Sequence, residues 1–187
     1  MLMSRITAKP TVLMLPKTEV EVMAPPPNAH LISISDGPGD QARIDSRLWR
    51  SVSYHYFLDG GYTEALIEAC GPEFDTIFRN YLRPRSADKL RERIDWAAKR
   101  AQVIVVSCYS GRSRCAAVAR YIHEAYGFAL TQEPADANHT VYRLLSEDRT
   151  LLDACREASI SHAQPSFVTY DEWFERIFAG PIGLKST

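Results

Sequence analysis

At 187 residues the chain is long enough to bury the core of one domain, and 45% hydrophobic with 24% charged side chains is an ordinary globular balance. A formal charge of -1, from 22 basic and 23 acidic residues, supplies no global field toward nucleic acid or an anionic membrane, so any such attraction has to be local. No stretch approaches the roughly 20 apolar residues of a membrane span, and the N-terminal MLMSRITAKPTVLMLPKTEV lacks the long apolar run and small-residue cleavage site of a secretory signal.

The pattern along the chain predicts an α/β domain. TVLML (11–15) and HLISIS (30–35) are short β-rich runs bounded by Pro, Asn, Asp and Gly, and RSVSYHYF (50–57) is a third strand that ends at Leu-Asp-Gly-Gly, leaving Asp59 just beyond a strand end. YTEALIEACGPEF reads as a short helix closed by Gly71 and Pro72, followed by an irregular DTIFRNYLRPR. Ser86 is the expected N-cap of a helix whose Leu90, Ile94, Ala97 and Ala101 share one face. VIVVS (103–107) is continuously apolar and β-branched, as a central parallel strand covered on both faces is. A helix is expected from Ser113 onward, stopped at Gly127, with further helical stretches at 139–148 and 151–158. A late apolar face at Trp173, Phe174, Ile177 and Phe178 closes the series. The expected architecture is one domain over 1–187, with a core at about 11–148 and 149–187 as a helical extension packed on it. Its sheet is short and mainly parallel, with helices on both faces.

The four cysteines, Cys70, Cys108, Cys115 and Cys155, are sparse, irregularly spaced and form no C-x-x-C pair, which argues against a disulfide framework or zinc ribbon and for a cytoplasmic chain with reduced thiols. The five histidines show no ligand spacing, so no metal site is expected, and no nucleotide-binding loop signature is present.

One unit stands out. Cys108 closes the central strand, where open α/β sheets bind ligands, and the loop Tyr109, Ser110, Gly111, Arg112, Ser113 leads into a helix. Gly111 permits positive φ and close backbone approach, so successive N–H groups can turn inward as an anion nest, and the helix points its positive end at the same spot. Those features lower a cysteine pKa and cradle a phosphate above the sulfur. Arg114, at the helix start, can grip two phosphate oxygens with its planar fork, and a cation there is unfavourable unless an anion lies between it and the helix. The competing reading is an ordinary buried core thiol.

CYSGRSR, Cys108 to Arg114, resembles the C-x5-R signature of the cysteine-based protein tyrosine phosphatases. VLMLPKTEVEV, HLISISDGPG, SVSYHYFLDGG and VVSCYSGRSRCAAVA also occur in the order seen in small bacterial and phage proteins similar to dual-specificity phosphatases, over roughly residues 12–148. The resemblance implies a thiolate nucleophile at Cys108, a phosphate-binding loop at 109–113, the Arg114 clamp, a phosphocysteine intermediate, no cofactor, and a phosphorylated substrate, with phosphotyrosine protein the first choice. Two positions depart from the family pattern: Ser107 stands where a histidine is usual, and Cys115 where a serine or threonine is usual. If Cys115 reaches Cys108 it can also trap it as a disulfide.

A leaving alkoxide or phenolate needs a proton donor. Asp59 follows a strand, as the family's acid does; Asp75 lies closer to Cys108 in sequence but follows nothing strand-like; Asp36 ranks third, since turn chemistry alone accounts for it. Asn138 is most simply a helix N-cap. Between 75 and 100, eight Lys or Arg stand against four Asp or Glu, a solvated face unless it borders the site, in which case it favours acidic peptides, phosphoinositides or RNA 5′-phosphates. Two alternatives stay open: a catalytically silent phosphate-binding module, and a sulfurtransferase.

Overall fold

The computed structural model describes residues 9–161. The sheet has five strands: β1 (Thr11–Pro16), β2 (Ala29–Ser35), β3 (Ser51–Tyr56), β4 (Val103–Cys108) and β5 (Ala129–Leu130). They run in the order β3-β2-β4-β1-β5, and every pairing is parallel. β4 is central, flanked by β1 with Pro16 opposite Cys108 and by β2 with Ser33 opposite Ser107. Its uninterrupted Val-Ile-Val-Val run follows from that place, because both of its faces lie under other elements.

Connection order decides how the faces are covered. The steps β1 to β2 to β3 move one way across the sheet, and β3 to β4 to β5 move back, so right-handed crossovers put the two sets of connections on opposite faces. Among the described residues the first face carries α1 (Lys17–Val22) and the β2–β3 connection with its 3₁₀ turns at 38–40 and 46–48, which bury Val20 and Trp49 against Leu31 and Val105. The second carries α2 (Glu64–Cys70), the single turn α3 (Phe74–Ile77), α4 (Pro84–Ala98), α5 (Arg114–Tyr126), α6 (His139–Leu145) and α7 (Arg149–Ser161), packed over Val12, Ile32, Ile104 and Val106. Helices therefore cover both faces, very unequally.

Several expectations are corrected. α4 begins at Pro84 with Arg83 at its N-cap, three residues before the expected Ser86 cap: a proline at the first helical position is pre-set for the helix and needs no N–H. Leu90, Ile94 and Ala97 are buried on one face as expected, and Ala101 is buried just past the helix end. The stretch after Pro72 is not wholly irregular, since Phe74–Ile77 closes one helical turn. α1 and β5 were not anticipated. No helix among the described residues is long and apolar enough to cross a membrane. Trp173, Phe174, Ile177 and Phe178 lie outside the described residues.

Candidate active site

The loop 109–113 crosses the carboxyl end of the sheet between β4 and α5. Gly111 has φ +73°, and a Cβ on it would lie 2.5 Å from the Pro16 nitrogen at the end of β1, so only glycine fits. Pinned there, the loop turns the N–H groups of Gly111 and Cys115 onto the Cys108 sulfur. The Cys115 thiol lies 3.2 Å from it, and with Cys108 ionised it is the Cys115 S–H that donates a third hydrogen bond. That thiol is the largest influence holding the Cys108 pKa down to about 5, helped by the two backbone N–H groups and the Arg114 charge, against burial, which acts to raise it. Cys115 moves the other way: as donor to a thiolate in a buried position, its own proton is held tightly.

Cys108 is 1% exposed. It lies at the edge of the main hydrophobic core, but its sulfur also meets three donors, the Gly111 and Cys115 N–H groups and the Cys115 thiol. Arg114 is 2% exposed, the largest fully buried side chain among the described residues. Its Nη1 donates to Asp36 Oδ1 at 2.7 Å and to the Phe57 carbonyl at 2.6 Å. Its Nε is buried with no hydrogen-bond partner and lies 3.8 Å from Asp59 Oδ2. The anions that tolerate a cation at the start of α5 are thus partly the protein's own, Asp36 and Asp59. One charged N–H is still left over, a defect of about 1–3 kcal/mol that an incoming oxyanion would relieve.

Asp59 sits beside this guanidinium, and three neighbours fix it. Ser113 Oγ donates to Asp59 Oδ1 at 2.7 Å, which explains why Ser113, at the N-cap of α5, makes no capping bond of its own. Asn138 Nδ2 donates to the same oxygen at 3.1 Å and to the Gly60 carbonyl at 2.9 Å. Asn138 is also the N-cap of α6, accepting from the Val141 N–H at 3.0 Å, and its own N–H reaches the Ser113 carbonyl at 3.2 Å. The capping reading holds, and a second role is added. Behind them Thr140 Oγ1 accepts the Tyr62 N–H at 2.9 Å, clamping the chain just after Asp59 to α6. Asp59 Oδ1 is saturated with donors, and Oδ2 faces Arg114.

Asp75 lies elsewhere. It pairs with Arg83 at the α3–α4 junction, and the Ser159 hydroxyl of α7 is 3.4 Å from it. Of the loop residues, Tyr109 is 70% exposed, and Arg112 turns outward to Asp136, with Nε 2.8 Å from Oδ2. The residue that sequence reasoning undervalued is Asp36: strand-end position was its only signal, and its pairing with Arg114 is a contact across the sheet that no local pattern encodes. Compared with known proteins, the chain matches no family model, no curated protein and no solved structure.

Proposed function

We propose that the chain is a metal-independent phosphomonoester hydrolase acting through a cysteine thiolate, with phosphotyrosine protein as its substrate and no cofactor. The observation that carries this reading is the convergence of three donors on the Cys108 sulfur, together with Arg114, whose charge also favours the thiolate and whose buried Nε has no hydrogen-bond partner. A sulfur held ionised at neutral pH is a nucleophile, and a spare charged donor is a seat for an oxyanion.

The phosphate settles on the N–H groups of residues 109–114 and takes the bond that Arg114 Nε lacks. Cys108 Sγ attacks phosphorus in line, the bond to the leaving oxygen breaks, and that oxygen keeps the electron pair. Asp59 hands it a proton from Oδ2, the oxygen not held by Ser113 and Asn138. Water then attacks the phosphocysteine, gives its proton to the same carboxylate, and the sulfur–phosphorus bond opens to regenerate the thiolate. Cys115 stands 3.2 Å away to donate to the departing sulfur. Its S–H is a weaker donor than a hydroxyl, so breakdown of the intermediate is the slow step.

The test is hydrolysis of an aryl phosphate by the full chain and by Cys108→Ser, with acid-trapped phosphoenzyme counted per mole. Turnover and a covalent phosphate, both lost in the variant, support the reading. Saturable binding of inorganic phosphate without turnover replaces it with a silent phosphate-binding module, and cyanide-dependent thiocyanate release replaces it with a sulfurtransferase.

A further inference from the structure

The chain segment 79–83 has two sides. One backs the acid loop: the Asn80 carbonyl accepts the Leu58 N–H at 2.8 Å, and the Tyr62 hydroxyl donates to the Leu82 carbonyl at 2.6 Å. The Tyr81 ring lies so close over Gly60 that a Cβ there would be 2.7 Å from it. The other side opens on a cleft of about 770 Å³ between α3, the first half of α4 and α7. Because α4 leads into β4, its N-terminus lies at the carboxyl end of the sheet, the same end as Cys108.

Five guanidinium groups line this cleft: Arg79, Arg83, Arg85, Arg91 and Arg156. Three carboxylates share it, and they are committed: Asp75 to Arg83, and Asp88 and Glu147 to Arg91. Arg156 pairs with Asp153 at 2.7 Å. Arg79 and Arg85 are exposed and make no ion pair among the described residues. The Arg83 guanidinium carbon lies over Phe74, 4.2 Å from the ring centre, and its Nη1 is a buried donor with no hydrogen-bond partner. It also stands at the N-cap of the fifteen-residue α4, whose first turn carries Arg85 and no acidic residue. Asp75 already serves Arg83 there, while Arg85 in the first turn has no ion pair among the described residues, so this positive helix end keeps charge open to an anion from outside.

We propose that this cleft holds the acidic flank of a phosphorylated polypeptide substrate, a second phosphate or a pair of carboxylates a few residues from the phosphotyrosine at Cys108. The proposal rests on the phosphatase reading for its catalytic half. One chain segment with its side chains is on the order of 10 Å across, a span that about three extended residues cover. The three interleaved carboxylates would repel a continuous polyanion such as RNA, whereas discrete anionic groups can dock between them on Arg79, Arg83 and Arg85. Leu152 and Pro84 supply apolar wall for the peptide between its charges.

The experiment compares the full chain with the Arg79→Ala/Arg85→Ala double variant in two arms. In the first, KM is measured on a phosphotyrosine peptide with a glutamate and phosphoserine flank and on the same peptide with a neutral flank, with a small aryl phosphate as internal reference. The wild type is expected to favour the acidic flank by about tenfold in KM, an advantage that shrinks as salt is raised and collapses in the double variant. In the second, fluorescence anisotropy follows binding of a labelled, unphosphotyrosinated version of the acidic peptide, which needs no turnover. Binding lost in the double variant while neither protein hydrolyses anything would leave the cleft standing and remove the phosphatase. Equal KM for both flanks, or equal peptide binding by both proteins, overturns the cleft proposal. So does binding to phosphoinositide vesicles that the double variant loses when the acidic peptide does not bind.

Discussion

Cys108 at the end of β4 and the pair Cys70 and Cys155 in α2 and α7 are equally hidden, 1% exposed against 2% for each of the others. Their chemistry is opposite. Burial pushes Cys70 up to about 11 and raises Cys155, as removing any thiol from water should, while Cys108 comes down to about 5. In the helical region burial dominates: Glu73 adds to the rise at Cys70, and at Cys155 burial, with Asp75 and Glu64, outweighs the Arg83 charge and the Tyr62 hydrogen bond, which act the other way. The strand-end region surrounds its thiol with N–H and S–H donors. What separates the depressed thiol from the raised ones here is the set of donors that face it, at nearly equal exposure.

The comparison is broken most directly by removing the nucleophile. Cys108→Ser is expected to lower aryl phosphate turnover by roughly 10³-fold or more, with Cys70→Ser and Cys155→Ser leaving phosphoenzyme formation intact, read by acid-trap radiometry. Next in size is the acid. Asp59→Asn should reduce kcat/KM by about 10²–10⁴-fold on a poor leaving group and flatten the basic limb of the pH profile, whereas Asp75→Asn should keep that limb. An unchanged limb in Asp59→Asn would reassign the acid.

A gentler probe sharpens the contrast without changing the chain. Iodoacetamide labelling read by peptide mass spectrometry should rise with pH through a midpoint near 5 at Cys108, since a depressed pKa means that thiolate is gained on the way up through that value. Cys70 and Cys155 should stay unlabelled at neutral pH. Cys115→Ala changes no group that reacts with phosphate, but it removes the largest influence holding Cys108 down and should move its midpoint up toward the ordinary thiol range. The same variant tests the 3.2 Å sulfur contact under oxidation. Hydrogen peroxide converts the Cys108 thiolate to a sulfenic acid with release of hydroxide, and the Cys115 thiol then displaces its oxygen as water to form a disulfide. Wild type is expected to give a Cys108–Cys115 disulfide reversible by dithiothreitol, and Cys115→Ala an over-oxidised Cys108; over-oxidation in both excludes the trap.

Much of the fold was legible because it is written in local pattern. β4 shows as an unbroken β-branched run, α5 as a helix stopped by Gly127 at φ +73°, and α4 as a periodic face. α1 was not legible: Lys-Thr-Glu-Val-Glu-Val alternates with period two and has β-branched residues at half its positions, and it is helical because Val20 fits under the sheet. β5 is two residues long and exists only as a neighbour of β1. The same division runs through the site. Cys108, the loop and Arg114 are consecutive in the chain and could be read together. The link of Asp36 to Arg114 and of Asn138 to Asp59 spans 78 and 79 residues, and only the parallel sheet and the start of α6 bring them side by side.

Gly111 rests against the backbone of Pro16, and Pro16 ends the strand that runs beside β4. The curve of the loop is therefore set by its strand neighbour. Under the proposed function, an oxyanion would meet a mould already shaped by β1, and adding a single methyl group at Gly111 would deform that mould.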